Sequence, residues 1–291
     1  MKSITELFDS QVKISSLHHS LFKEHKIQLD ILRLDTLHEN ISGNKWFKLK
    51  YNLQAAFEQK ATGILSFGGA HSNHLHALAY SGKLLDLPTI GIIRGEEVEN
   101  PTLTDCKNWG MQLKFISREN YREKASPNFL QVLTGAYPNY YIIPEGGDNE
   151  LGRKGCEEIL DEKTVAYNYI TCSIGTATTY CGLVNSAHNT QKLLGFSALK
   201  GNTSLRQSIE QHTSYSNWEY IDDYHFGGFA RRNQALYDFT NWFQLEFDIA
   251  LDYVYTAKMF YGILDLIQQN KFALGSRILA IHTGGLQGNR A

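Results

Sequence analysis

Short apolar runs alternate along this chain with stretches whose apolar residues recur every three or four positions. GILSFGGA (63–70) reads as a buried strand ending in a glycine turn. In the SNHLHALAYSGKLL that follows it, Leu75, Leu78, Ala79, Gly82 and Leu85 share one helical face. TIGIIRG (89–95), QLKFIS (112–117) and YYIIPEGG (140–147) read as further strands, as do YNYITCSI (167–174), KLLGFSAL (192–199) and SRILAIHTGG (276–285). GRKGCEEILDEK (152–163) and YTAKMFYGILDLIQQN (255–270) carry helical periodicity. Trp46, Leu49, Leu53 and Ala56 predict another helix, starting near Asn44. Strands alternating with helices predict an α/β protein with mostly parallel sheets. Eight or so elements of each kind are enough for two sheets.

Glycine-rich crossings at Gly43 and at 146–152 bracket the first group of strands. They predict a smaller α/β domain at 46–153 inserted into a larger one built from 1–45 and 154–291. A ligand cleft is expected where the chain crosses between them. The first 40 residues are expected to pack as a strand and a helix against the larger domain.

Composition narrows the function. The 291 residues are 42% hydrophobic and 20% charged, with a formal net charge of −2. No basic excess or cluster is present to serve a nucleic-acid partner. No apolar run reaches membrane-spanning length, and MKSITELFDSQVKISS lacks the apolar core of a secretory signal. The four cysteines, Cys106, Cys156, Cys172 and Cys181, form no CxxC pair and read as reduced structural thiols. A cytoplasmic location is the expectation.

Four stretches can carry chemistry. Lys45 in GNKWFKL (43–49) is a cation at a predicted helix start, where the helix dipole disfavours positive charge. That position, nearby lysines and desolvation in a cleft all favour the neutral amine, the form needed for Schiff-base chemistry. A solvated surface lysine is the plain alternative. SFGGAHSNHLHA (66–77) places Ser72 and Asn73 at a helix start, where ordinary capping also explains them. His71, His74 and His76 crowd the same stretch, but their spacing is not a recognised zinc pattern. CSIGTATTYCGL (172–183) reads as a strand, a Gly/Thr turn and a helix. This arrangement suits a phosphate, although the stretch is neither a Walker loop nor a dinucleotide fingerprint. DDYHFGGFARRN (222–233), LDYVYTAK (251–258) and AIHTGG (280–285) contribute Tyr255, Thr256 and Thr283 as further candidates.

Taken together, GNKWFKL, GGAHSNH, PEGGDNELGRKG (144–155), GTATT (175–179) and HTGG (282–285) resemble one family, in order and over nearly the whole chain. It is the pyridoxal-phosphate enzymes of fold type II, in the branch of 1-aminocyclopropane-1-carboxylate deaminase and D-cysteine desulfhydrase. The resemblance implies two three-layer αβα domains with pyridoxal 5'-phosphate in the cleft between them. By that resemblance Lys45 holds the cofactor as a Schiff base, and Asn73 meets the phenolate oxygen of its ring. Gly175, Thr176, Ala177, Thr178 and Thr179 cradle the phosphate. Ser72 and His74 face the substrate carboxylate, and Ser72 also moves protons. Tyr255 and Phe229 line the substrate side, with Thr283 at the pyridine nitrogen and Thr256 close by. The implied partners are a small amino-acid substrate and a second copy of the chain in a homodimer. Two departures stand out: Thr256 replaces an expected carboxylate, and Phe229 replaces an expected tyrosine. They favour a D-cysteine desulfhydrase over the ring-opening deaminase. A binding protein that keeps the fold without turnover, and a zinc protein using the three histidines, are the rivals from other classes.

Overall fold

A computed structural model of the chain describes residues 11–290. Ten strands and eleven α-helices form within them. The strands are β1 (Lys13–Leu17), β2 (Gln28–Arg33), β3 (Gly63–Gly68), β4 (Thr89–Arg94), β5 (Gln112–Ile116), β6 (Tyr140–Ile143), β7 (Tyr169–Ile174), β8 (Lys192–Ser197), β9 (Trp218–Ile221) and β10 (Arg277–His282). The helices are α1 (Ser20–Glu24), α2 (Asn44–Glu58), α3 (Asn73–Leu85), α4 (Pro101–Asn108), α5 (Arg118–Arg122), α6 (Pro127–Ala136), α7 (Glu150–Cys156), α8 (Thr178–Ser186), α9 (Thr203–His212), α10 (Gln234–Phe247) and α11 (Thr256–Gln268).

The strands make two sheets. One has the order β1-β2-β10-β7-β8-β9; it is parallel throughout except for the antiparallel β1–β2 pair. The other, β5-β4-β3-β6, is wholly parallel. Strands read as continuous apolar runs because both of their faces are covered. In β2 and β10, Leu29, Ile31, Ile278 and Ala280 pack with Phe243 and Phe260 of α10 and α11. Their alternates Leu32, Leu279 and Ile281 face the other way, towards α2, α7 and α8. In the smaller sheet Ile64 and Ile93 join that same second cluster, while Leu65, Phe67, Ile90 and Ile92 pack with Tyr121 and Leu133 on the far side. The near faces of the two sheets therefore share one core, with α2, α7 and α8 between them.

Several expectations need correction. The 152–163 stretch is helical only to Cys156 and continues as two short 3-10 turns, Glu157–Ile159 and Glu162–Thr164. The part of the first 40 residues that the structure describes is strand, helix and strand, and β2 lies inside the larger sheet beside β10. Strand β9 has no counterpart among the expected elements.

All four cysteines are buried and unpaired. Among the described residues, no helix is long and apolar enough to cross a membrane.

Candidate active site

The carboxyl ends of β3, β7 and β10 converge on the first turn of α2, where open α/β sheets place their ligands. Lys45 is the second residue of α2. The helix enters through Gly43, at φ 65° and ψ −141°, a backbone region open to glycine. A side chain at Gly43 would also overlap the carbonyl of Thr283, which accepts the Asn44 amide at 3.2 Å. This close approach docks the start of α2 onto the end of β10. Gly43→Ala is therefore expected to lose more than about 1 kcal/mol of stability in urea melts. It should also displace Lys45 from its partners.

Asn44 Oδ1 holds the Lys45 ammonium nitrogen at 2.7 Å, and Asn44 Nδ2 donates to Thr179 Oγ1 at 2.9 Å. Lys45 is half-buried. Burial first, and then the Lys48 charge, push the Lys45 amine down to about 7. Its position at a helix start acts in the same direction.

Lys48 lies one turn further on and is 4% exposed. Its Nζ donates to the Gly146 carbonyl (3.1 Å) and to Thr176 Oγ1 (3.2 Å). It makes no ion pair with a carboxylate among the described residues. Burial lowers its pKa as well. An uncompensated buried amine is expensive unless an anion meets it. The turn it touches leaves backbone amides open. Ala177 sits in the left-handed region at φ 64° and starts α8 without a side-chain cap. The first amides of α8 thus lack intrahelical partners. Thr176 Oγ1 bonds Thr178 Oγ1 at 2.8 Å, and Thr178 donates to Asp148 Oδ1 at 2.8 Å. Gly175, Thr176, Ala177, Thr178 and Thr179 form the turn between β7 and α8 and the first residues of α8.

Ser72 and Asn73 begin α3 on the other side of the cleft. Ser72 Oγ accepts the Leu75 amide at 3.2 Å, so the capping alternative also holds. Asn73 Oδ1 accepts from Gln287 Nε2 at 2.8 Å. His74 is 2% exposed, and its Nδ1 has no hydrogen-bond partner among the described residues. Ser66 Oγ donates to the Ile143 carbonyl and lies 2.9 Å from His74 Nε2, so Nε2 carries the proton. Burial and the charges of Lys45 and Lys48 hold this ring neutral. Neutral and buried, His74 presents no cation to a substrate carboxylate. The three histidines do not converge either. His71 is exposed, and His76 Nε2 turns to Asp105 at 3.1 Å.

Tyr255 precedes α11, and its ring lies against the Gly175 turn. Burial and Asp252 raise its pKa, which keeps the phenol protonated. The Phe229 ring meets it edge-on at 6.1 Å between centroids. Phe229 itself is 49% exposed. Thr283 Oγ1 is 3.2 Å from Ser173 Oγ. Thr256 is fully buried, and its hydroxyl donates to Asp252 Oδ1 at 2.8 Å. It is therefore committed to that carboxylate rather than free in the cleft.

Asp252 and Lys48 are side chains of this cleft that sequence reasoning did not single out. The Asp252 carboxylate accepts the amides of Val254, Tyr255 and Thr256 as well as the Thr256 hydroxyl. It caps α11 and fixes Tyr255. An Asp four residues before Thr256, the first residue of α11, was the available signal. For Lys48 the signal was its i,i+3 spacing from Lys45 on one helical face.

No family model matches the chain. A Pyrococcus abyssi protein provisionally named 1-aminocyclopropane-1-carboxylate deaminase is 27% identical, over 91% of this chain and 87% of its own length. The mitochondrial bifunctional D-cysteine desulfhydrase/1-aminocyclopropane-1-carboxylate deaminase of Arabidopsis thaliana is 26% identical over 90% of this chain and 73% of its own. The crystal structure of an ACC deaminase homologue superposes with a TM-score of 0.86 at 25% identity, covering 98% of this chain and 92% of that one. This chain is a relative of the 1-aminocyclopropane-1-carboxylate deaminases and D-cysteine desulfhydrases. The similarity spans nearly the full length of the chain, so both sheets lie within it.

Proposed function

We propose that this protein is a pyridoxal 5'-phosphate-dependent enzyme that releases ammonia from a small amino acid, with D-cysteine as its substrate. The observation that carries this reading is the place of Lys45: at the start of α2, docked onto the end of β10 and held by Asn44, which also bonds Thr179 of the Gly/Thr turn. The surrounding residues fit the cofactor. The Lys48 amine has no carboxylate partner among the described residues, and the open amides at the start of α8 provide a cradle for a phosphate dianion. Asn73 Nδ2 has no hydrogen-bond partner among the described residues and would serve the ring's oxygen. When bound, pyridoxal phosphate supplies the electron sink for carbanion chemistry.

The chain supplies the rest. Lys45 would hold the cofactor covalently through Nζ. Once freed, it would accept the Cα proton of D-cysteine, since an amine near pKa 7 works both as base and as acid. Ser72, at the start of α3, would orient the substrate carboxylate, and Tyr255 would close the substrate side with a protonated phenol. The net reaction converts D-cysteine and water to pyruvate, ammonia and hydrogen sulfide.

Hydroxyls rather than a carboxylate support elimination of a good leaving group. Thr283 pairs with Ser173, and both oxygens of the nearby Asp252 are already taken by backbone amides and Thr256. The provisional name of the Pyrococcus relative favours the second reading, ring opening of 1-aminocyclopropane-1-carboxylate with water to 2-oxobutanoate and ammonia. Product analysis separates the two. Pyruvate and sulfide from D-cysteine carry the first, and 2-oxobutanoate from the cyclopropane substrate replaces it with the second. Colour without either product leaves a cofactor-binding protein.

A further inference from the structure

Asn73 has two chemically opposite ends: an oxygen that only accepts hydrogen bonds and an amino group that only donates. Which end faces the cleft decides whether this residue attracts or repels an anionic oxygen. The answer comes from the far end of the chain. Gln287 Nε2 donates to Asn73 Oδ1 at 2.8 Å, which ties the acceptor end to the C-terminal turn. The amino group is left towards Gly285, where a Cβ on that glycine would lie 2.9 Å from Asn73 Nδ2 and 3.5 Å from the Asp252 carboxyl carbon. Gly285, at φ 95°, leaves that space open.

Gln287 is itself held in place. It sits on the 3-10 turn Leu286–Arg290. Asn289 Nδ2 donates to the Leu251 carbonyl at 2.8 Å, and Asn289 Oδ1 accepts the Tyr253 amide at 3.4 Å. Arg290 pairs with Asp105 of α4 at 2.6 Å, the same oxygen that meets His76. The turn is therefore pinned to the loop before α11 on one side and to the helices of the smaller sheet on the other. We propose that Gln287 is a positioning residue: it locks the Asn73 amide so that Nδ2, and not Oδ1, is presented to the 3-oxygen of the cofactor ring. This rests on the cofactor reading above and adds a residue and a role to it.

The test compares equilibrium binding of pyridoxal 5'-phosphate with that of its 3-deoxy analogue, followed by tryptophan fluorescence. Gln287→Met keeps the length of the side chain and removes its donor. Gln287→Glu substitutes an acceptor that would draw Asn73 Nδ2 away. Both variants are expected to bind the 3-hydroxyl ligand about tenfold more weakly, the scale of one hydrogen bond to a charged group, and to bind the 3-deoxy ligand nearly as the parent does. In the loaded variants the visible band should titrate at higher pH, because a donor on the ring oxygen favours the deprotonated form. Equal weakening with both ligands would reduce Gln287 to a structural role, and unchanged binding of both would remove it from the site. If the parent binds neither ligand, the cofactor reading fails and takes this inference with it.

Discussion

Lys45→Ala is expected to abolish covalent attachment of pyridoxal phosphate and to lower turnover by about a thousandfold or more, since positioned proton transfer alone contributes about 10²–10⁴. The folded structure should persist, because the residue is a single side chain at a helix start whose packing is made by Trp46, Leu49 and Leu53. Far-UV circular dichroism with absorbance near the yellow band checks both halves. An intact covalent band in the variant would sink the assignment. The pH dependence has a definite sign. Only the neutral amine reacts, so capture of the aldehyde by the cofactor-free protein should rise with pH through about 7. An ordinary lysine would show that rise near about 10.4. Stability is linked to the same group. Between about 7 and about 10.4 the unfolded chain binds more protons at this residue than the folded one does, so its contribution to stability increases with pH across that window. Lys45→Met should accordingly raise the Tm of the cofactor-free protein at about pH 6, and the gain should fade towards about pH 10.

Local pattern was enough to find seven strands: β3, β4, β7, β8 and β10 are largely buried runs, and the half-buried β5 and β6 are still short, mainly apolar and stopped by a polar or glycine turn. It was not enough for β1 and β9. Their residues Lys13, Ser15 and Ser16, and Trp218, Glu219 and Tyr220, are half-exposed on the two edges of the larger sheet, so their patterns blur. Strand β2 carries Asp30 in its middle. That carboxylate is 1% exposed, yet Tyr167 reaches across to it at 2.6 Å, a contact 137 residues away in sequence. The helix expected over 152–163 stops early because the chain after Cys156 tightens into 3-10 turns under α8. In the site, residues beside a glycine or at a helix start were legible one by one. Roles that depend on partners were not. Whether His74 faces a ligand or hides beneath it depends on Ser66 and Gly147, and the fate of the Thr256 hydroxyl depends on the side-chain direction of Asp252. Spacing alone fixes neither.

Lys48→Met separates two effects of opposite sign. In the cofactor-free protein the substitution removes a buried amine with no carboxylate partner among the described residues and puts a chain of similar length in its place. The variant loses a hydrogen bond to the Gly146 carbonyl, worth about 1 kcal/mol, while Thr176 keeps its bond to Thr178. Relief of a desolvated charge is worth as much or more, since burial is what lowers the Lys48 pKa. Urea melts should therefore find the variant no less stable than the parent. Cofactor binding should move the other way. A charge-assisted contact to a phosphate is worth about 1.5–3 kcal/mol, so affinity for pyridoxal phosphate should fall about 10- to 100-fold. Affinity for unphosphorylated pyridoxal should stay near the parent's. The contrast between the two ligands isolates the phosphate contact from any general damage to the cleft. An equal fall for both would mean that Lys48 supports the fold of the Gly175–Thr179 turn instead of meeting the anion. A variant markedly less stable than the parent would mean that its bonds to Gly146 and Thr176 outweigh the burial of its charge.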